Sequence, residues 1–134
     1  MKKDIEFPQV KGIEVAIVRT LNDFEEYEWY VYLMNRNDFE ISNILITSKG
    51  YGKKEGNEQK TSVIRQMIEV LAPKSFTQIE RIDPELFHLT NEYWVSYYID
   101  RKIFDKKFIF LPETIVDEHI FMIDFLNMEG VLHP

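Results

Sequence analysis

Apolar and polar residues alternate along most of this chain in short segments, which is the period-two pattern of β-strands. Turn-forming residues separate the segments at intervals of roughly ten residues, a spacing typical of an antiparallel sandwich or barrel. The predicted strands span residues 13–20, 27–35, 39–48, 61–71, 75–82, 92–99 and 103–110, with a weaker edge strand over 4–10. The pattern slips near Asn43, which predicts a bulge in the third of these strands.

The hairpin from Glu92 to Phe110 is the most distinctive pair of strands. Its first strand is apolar on both faces and carries no charge between its ends, so we expect both faces to be covered. Its return strand places phenylalanines on one face, interrupted by Lys106. This interruption predicts either a bulge or a lysine stem that leans outward.

The strand over residues 27–35 is also apolar or aromatic on both faces. We expect one of its faces to join Trp94 in the core, namely Trp29, Val31 and Leu33. If both tryptophans point inward, the residues that face away from them are Tyr30, Tyr32, Tyr93 and Tyr97. Either the C-terminal helix or the N-terminal segment covers these four tyrosines, or they form an exposed aromatic platform for a peptide, a glycan or another partner.

A helix of about four turns is predicted over residues 115–128. Thr114 and Asp117 imitate a capping box at its start, and Gly130 fits a C-terminal cap. The competing interpretation is a strand through residues 119–122, because this run is rich in β-branched and aromatic residues.

The predicted helix carries two apolar stripes, although a surface helix needs only one to pack on its own domain. The second stripe consists of Phe121, Phe125 and Met128. These residues are either buried in a groove of the same domain or bind a partner. The partner would be another protein or a second copy in a two-fold symmetric homodimer.

Residues 1–134 are predicted to form a single, mainly β domain: an antiparallel immunoglobulin-like β-sandwich of about seven strands with one C-terminal helix. The strands over 27–35 and 39–48 would form a hairpin in the same sheet as the 92–110 hairpin. A small closed β-barrel is the alternative.

Composition limits the classes of partner and the compartment. The formal net charge is −7, with 16 basic and 23 acidic residues, which argues against nucleic acid. The absence of cysteine excludes disulfides and thiolate chemistry. The N-terminal residues lack the apolar run of a signal peptide and no segment has the length of a membrane span, so we expect a cytoplasmic protein without a membrane partner.

Four segments resemble a family of short bacterial proteins of unknown function, some of which are labelled phenylalanyl-tRNA synthetase subunits. The segments read NRNDFEISNILITSKGYG, KTSVIRQ, LAPKSFTQIERID and NEYWVSYYIDRKIFDKKFIF. The label would imply an accessory protein associated with tRNA or a synthetase. A class II synthetase core is much longer, and this chain has no candidate for its paired arginine motifs, so these residues do not support the label's chemistry.

No catalytic, metal-binding or phosphate-binding motif stands out, and no cofactor, metal or catalytic residue is predicted. Residues 49–60 are rich in Gly and Lys but lack the Gly-Lys-Ser/Thr ending of a phosphate-binding loop, so a flexible loop is expected.

The leading hypothesis for function is therefore a non-enzymatic protein-binding or accessory module, with surplus apolar surface as its motivation. One alternative is an enzyme or enzyme subunit whose site is assembled from strand ends and loops, using residues such as His88, Glu92 or Asp100. Another is an RNA-associated accessory protein that uses the lysines of residues 49–60 and 101–107.

Overall fold

The computed structural model describes residues 8–134, which form two antiparallel sheets. The strands are β1 (Ile13–Leu21), β2 (Tyr27–Asn35), β3 (Ile41–Lys54), β4 (Asn57–Lys60), β5 (Ile64–Leu71), β6 (Ser75–Arg81), β7 (Thr90–Ile99), β8 (Lys102–Phe110), β9 (Phe121–Ile123) and β10 (Met128–His133). Short 3₁₀ turns occupy Pro84–Leu86 and Asp117–His119. Most of the predicted strand over residues 4–10 lies outside the described residues, and Pro8, Gln9 and Val10 adopt no regular structure.

Sheet 1 has the strand order β6-β2-β1-β10-β9. In sheet 2, β3 pairs with β7 on one side, and β8 pairs with β7 beyond it. On its other side β3 pairs with β5 along its first part and with β4 along its second. The mainly β, antiparallel architecture is confirmed, and the two sheets do not close into a barrel. The predicted hairpin of residues 27–35 and 39–48 is wrong, because β2 and β3 belong to different sheets.

The core lies between the sheets and is built mainly from the alternating inward residues of β1, β2, β3, β7 and β8. Val15 and Ile17 of β1, Val31 and Leu33 of β2, and Ile44 and Ile46 of β3 are almost fully buried in it. From β7 and β8 it receives Tyr93, Val95, Tyr97, Phe108 and Phe110. Trp29 packs against the edge of this core, as the pattern of β2 predicted.

Strand β7 has the opposite orientation to the predicted one. Tyr93 and Tyr97 point into the core, whereas Trp94 lies on the outer face with 43% of its surface exposed. The prediction that both faces of this strand are covered is therefore wrong. Both faces are apolar, so the period-two pattern fixes which residues share a face but not which face turns inward.

The predicted C-terminal helix is absent from residues 115–128, and a hairpin of β9 and β10 takes its place. β10 lies between β9 and β1, so its backbone groups pair on both sides. Gly130 is a mid-strand residue and not a helix cap: a Cβ there would collide with the Ile17 carbonyl oxygen and lie 2.7 Å from Val18 Cα. The alternative of a strand at residues 119–122 is the closer description.

Two smaller predictions concern the central strands. The bulge near Asn43 is confirmed by a register shift against β7 and by a φ of 48° at that residue. Lys106 causes no register shift; instead its stem leans across Phe108, with Nζ 4.7 Å from the ring centroid.

Residues 49–60 form a β-hairpin and not the expected loop. Glu55 and Gly56 make its turn, and both have positive φ as in a type I′ turn.

Candidate functional site

The three residues of the predicted helical stripe lie on different elements of the C-terminal hairpin. Phe121 belongs to β9 and is about half exposed. Phe125 lies in the turn and Met128 in β10, and both pack on the outer face of sheet 1 with Ala16, Val18 and Met34 among others. The arrangement as one stripe was wrong, because it required the helix.

The turn of this hairpin covers the outer face of sheet 1. Phe125 contacts Phe76 edge to face at 5.9 Å between ring centroids, and the Arg36 guanidinium lies 4.7 Å from the Phe125 ring centroid. Tyr30 and Tyr32 pack at the border of the same cluster. The Tyr30 hydroxyl donates a 2.6 Å hydrogen bond to Glu28. Because Tyr93 and Tyr97 lie in the core, the four tyrosines do not form a common exposed platform.

The outer face of sheet 2 is different: within residues 8–134 no element packs over it. Cross-strand pairing brings its residues into rows that run from β5 through β3 and β7 to β8. We call this surface the open face; its apolar members are Leu45, Met67, Val70, Trp94, Tyr98, Ile103 and Ile109, each more than a third exposed. Contiguous exposed apolar surface of this kind marks an interaction site on a folded protein.

Trp94 lies near the centre of the open face and is held in place by its neighbours. Its indole Nε1 donates a 3.3 Å hydrogen bond to Asp105, and the Lys107 ammonium lies 4.9 Å from its ring centroid. Trp94 and Asp105 line a shallow depression of about 270 Å³ together with Leu45, Thr47, Ser96 and Ile103. An aromatic side chain fixed beside a depression loses little conformational entropy on binding, a property of interface hot spots.

The open face carries charged residues of both signs, namely Lys49, Arg65, Glu92, Asp105 and Lys107. Lys49 lies 3.6 Å from Glu92, which also accepts a 3.4 Å hydrogen bond from the Tyr51 hydroxyl. Desolvation and then the nearby Glu92 carboxylate raise the pKa of the Tyr51 phenol. Asp105 and Lys107 flank Trp94 as described. The open face therefore carries both signs of charge in near balance, although the whole chain has a net charge of −7.

The sequence contained a signal for this surface that reasoning from the strand pattern missed. Arg65 and Gln66 lie in the middle of the predicted strand over residues 61–71, and Met67 beside them is 74% exposed. The prediction that Trp94 joins Trp29 in the core is wrong, because Trp94 lies on the outer face of β7. Neither face of β7 carries a charge between its ends, and this pattern predicted that both faces are buried. The same pattern fits a strand whose outer face is apolar and exposed.

The residues named for possible enzyme chemistry have structural partners. His88 Nε2 lies 2.7 Å from Gln59 Oε1, Glu92 pairs with Lys49, and Asp100 occupies the β7–β8 turn with a φ of 54°. Within the described part of the chain, no three His, Asp or Glu side chains are close enough to share a metal ion.

Comparison with known proteins gives no relative: no protein-family model, curated protein or solved structure matches this chain. Residues 8–134 also contain no helix that is long and apolar enough to cross a membrane.

Proposed function

We propose that this protein is a non-enzymatic protein-binding module that uses the open face, and that the occupant of this face is a second copy of the chain. The observation that carries the proposal is the uncovered, mostly apolar face of sheet 2 with Trp94 fixed at its centre. Phe121, which is exposed on the opposite side of the sandwich, remains a candidate for a separate contact.

The size of the open face suits a dimer. Four strands about 4.8 Å apart and about eight residues at 3.3 Å each give a face of roughly 19 by 26 Å, or roughly 500 Å² in projection. Side-chain relief makes the accessible area larger than this projection. A standard interface buries about 800 Å² on each partner, so the open face approaches the area that a stable dimer of small subunits needs.

Charge also favours a second copy over a strongly charged partner. A two-fold interface apposes the same surface to itself, so the surface must carry little net charge or both signs. The open face meets this condition, since Lys49 pairs with Glu92 and Lys107 lies near Asp105. The acidic surplus of the chain lies mainly elsewhere and opposes close approach through other surfaces.

We also propose that the sandwich is immunoglobulin-like, on the basis of strand order. In that fold one sheet contains strands A, B and E and the other contains C, F and G, with C′ added beside C in variable-type domains. β1, β2 and β6 are adjacent in sheet 1, whereas β3, β7 and β8 are adjacent in sheet 2 with β5 beside β3. β9 and β10 extend sheet 1 beyond this core arrangement.

The experiment is a comparison of mass in solution by light scattering over a range of protein concentrations. The double variant Met67→Ser, Trp94→Ser should dissociate a dimer to monomers and keep its melting temperature within a few degrees, because both residues lie outside the core. Phe24→Ser is the matched control: Phe24 is 81% exposed at the β1–β2 turn, so this variant should remain dimeric.

A parent protein that is monomeric at every concentration would contradict the second copy as occupant. Unchanged mass in the double variant would show that a dimer uses another surface. In that case Phe121→Ser would test the exposed end of β9. Recovery of a different protein that the double variant no longer binds would keep the open face as a binding surface but replace its occupant.

A further inference from the structure

A cavity of about 220 Å³ opens between the two sheets at the edge where β6 approaches β5. It lies beneath the sandwich edge and not on the open face. Its walls come from the middle of β3, the segment leading into β5, the end of β6 with the segment that follows it, and the start of β7. Its polar side chains include Ser48, Thr61, Glu80 and Asn91, and its apolar wall includes Ile82 and Leu86.

Glu80 points inward from the edge strand β6. Its cross-strand partner is Val31, a fully buried core residue, so the two side chains lie on the same inner face of sheet 1. Ser48 and Tyr93, both on the inner face of sheet 2, line the same cavity, and their hydroxyls lie close enough to the Glu80 carboxyl group to affect its pKa. Glu80 therefore faces polar groups of the other sheet across the cavity.

The environment of this carboxyl group is dry enough to affect its protonation. Desolvation raises the pKa of Glu80, and the nearby hydroxyls of Ser48 and Tyr93 oppose the increase. Burial, reinforced by the nearby Glu80, raises the pKa of the Tyr93 phenol above its usual range, so the phenol is a hydrogen-bond donor at neutral pH.

The cavity offers acceptors to a ligand, and each of the two basic residues among its described lining, Lys49 and Arg81, has an acidic partner. The Asn91 amide nitrogen donates to the carbonyl oxygens of Leu86 (3.0 Å) and Leu89 (3.3 Å), which leaves its Oδ1 as the free polar atom. Of the neighbouring cations, Arg81 lies 3.6 Å from Glu28, and Lys49 pairs with Glu92 on the other side of sheet 2.

We propose that this cavity binds the primary ammonium group of a small alkyl amine, with Glu80 as its counter-ion and Asn91 as a second acceptor. An ammonium group presents three donors and no acceptor, which matches a carboxylate and an amide oxygen. The alkyl chain packs against Ile82 and Leu86. The amine is either a free molecule or the side chain of a lysine that another protein inserts into the cavity.

The size of the cavity limits the ligand. At about 30 Å³ for each water molecule in the liquid, 220 Å³ corresponds to roughly seven waters. An amine with four or five carbon atoms has this volume, and a lysine side chain belongs to the same class.

The test is a titration of the full-length, ¹⁵N-labelled protein with butylammonium chloride, followed by amide chemical shifts. We expect saturable shifts confined to residues 48–50, 61–64 and 91, with affinity in the millimolar range. Glu80→Gln keeps the shape but removes the charge, and should weaken binding about tenfold or more. Butanol, which has a similar shape and no charge, should not saturate the same amides.

Two variants control for non-specific attraction and for misfolding. Glu69→Gln removes one exposed carboxylate from the acidic chain, so binding should be unchanged if the attraction is specific to the cavity. Ser62→Phe places a large side chain at the exposed cavity mouth without changing the charge, and should abolish binding. Unperturbed amide spectra outside the cavity show that each variant is folded.

A second arm distinguishes the two sources of the amine. The probe is a blocked lysine, Nα-acetyl-lysine methylamide. If it binds at least as tightly as butylammonium, the result favours insertion of a lysine side chain. If it binds more weakly, the result favours a free amine. Scattered, non-saturating shifts with both probes, or equal binding by parent and Glu80→Gln, would overturn the proposal. Glu80 would then serve only as an inward charge that discourages pairing at the edge of sheet 1.

Discussion

At the scale of the residue, Glu80 shows how one inward carboxyl group affects stability. Because desolvation raises its pKa in the folded state above the ordinary value of 4.5, the folded protein retains a proton that the unfolded chain has already lost. The free energy of unfolding therefore decreases as the pH rises through this interval. At neutral pH the ionised carboxylate is destabilising relative to a neutral group of the same shape.

The corresponding prediction concerns Glu80→Gln. The variant should have a higher free energy of unfolding than the parent at neutral pH, and the difference should disappear as the pH falls below about 4.5. Urea denaturation of the parent and the variant between acidic and neutral pH measures the difference in the free energy of unfolding. Glu69→Gln, at an exposed position, should show no comparable dependence. A less stable Glu80→Gln at neutral pH would mean that the ionised carboxylate is a net stabilising group.

Trp94 and Tyr97 lie on opposite faces of β7, so substitutions at the two residues should have different effects. Trp94→Ala should lower the free energy of unfolding by about 1 kcal/mol or less, since the side chain is largely on the surface. Tyr97→Ala should lower the free energy of unfolding by about 3–5 kcal/mol, because Tyr97 is only 1% exposed and its ring stacks on that of Phe104 with 5.3 Å between the ring centroids. Equilibrium denaturation measures both changes. If Trp94→Ala lowered the free energy of unfolding more than Tyr97→Ala, the orientation of β7 described above would be wrong.

Tyr97 offers a further control for this comparison. Within the described residues its buried hydroxyl has no hydrogen-bond partner, and burial raises the pKa of the phenol to about 12. Removal of an unsatisfied buried hydroxyl should cost little. We therefore expect Tyr97→Phe to be as stable as the parent protein or more stable.

At the scale of the element, the sequence predicted the positions of most strands, but it did not predict which face of β7 turns inward or the structure of the C-terminal segment. Residues 13–20 alternate clearly and residues 75–82 less regularly, and β1 and β6 agree with these two predictions within one residue at each end. Residues 115–128 contain apolar residues at spacings that fit a helix and at spacings that fit strands. The helix prediction failed because pairing with β1, more than a hundred residues earlier in the chain, determines the local structure.

Gly130 provides a test of this strand pairing. Gly130→Ala should lower the free energy of unfolding by about 1–3 kcal/mol or more, because the added methyl group would collide with the Ile17 backbone in β1. Urea denaturation measures the loss. The control is Gly56→Asn in the β3–β4 turn, where nothing lies within 4 Å and asparagine tolerates positive φ, so the change should stay below about 1 kcal/mol. If Gly130→Ala were harmless, the close approach of β10 to β1 would be wrong.

At the scale of the whole molecule, strand spacing was sufficient to predict an antiparallel β protein. The candidate site was not predictable in the same way. The open face depends on which side of β7 is inward, and the cavity depends on Glu80 of one sheet meeting Ser48 and Tyr93 of the other. The open face and the cavity both result from the way the two sheets pack together. The pattern of residues along a single strand carries no information about that packing.

The pairing of β1 with β10 also affects how the molecule folds. Arg19 Nε donates a 2.8 Å hydrogen bond to Glu129, a residue 110 positions further along the chain. Closing so long a loop costs roughly 3 kcal/mol more entropy than closing the five-residue turn between β1 and β2. We therefore expect the local hairpins to form first and sheet 1 to be completed late, over milliseconds to seconds. Until β10 arrives, one side of β1 is an unprotected edge, and pairing of that edge with another unfolded chain is the route to aggregation that this topology leaves open.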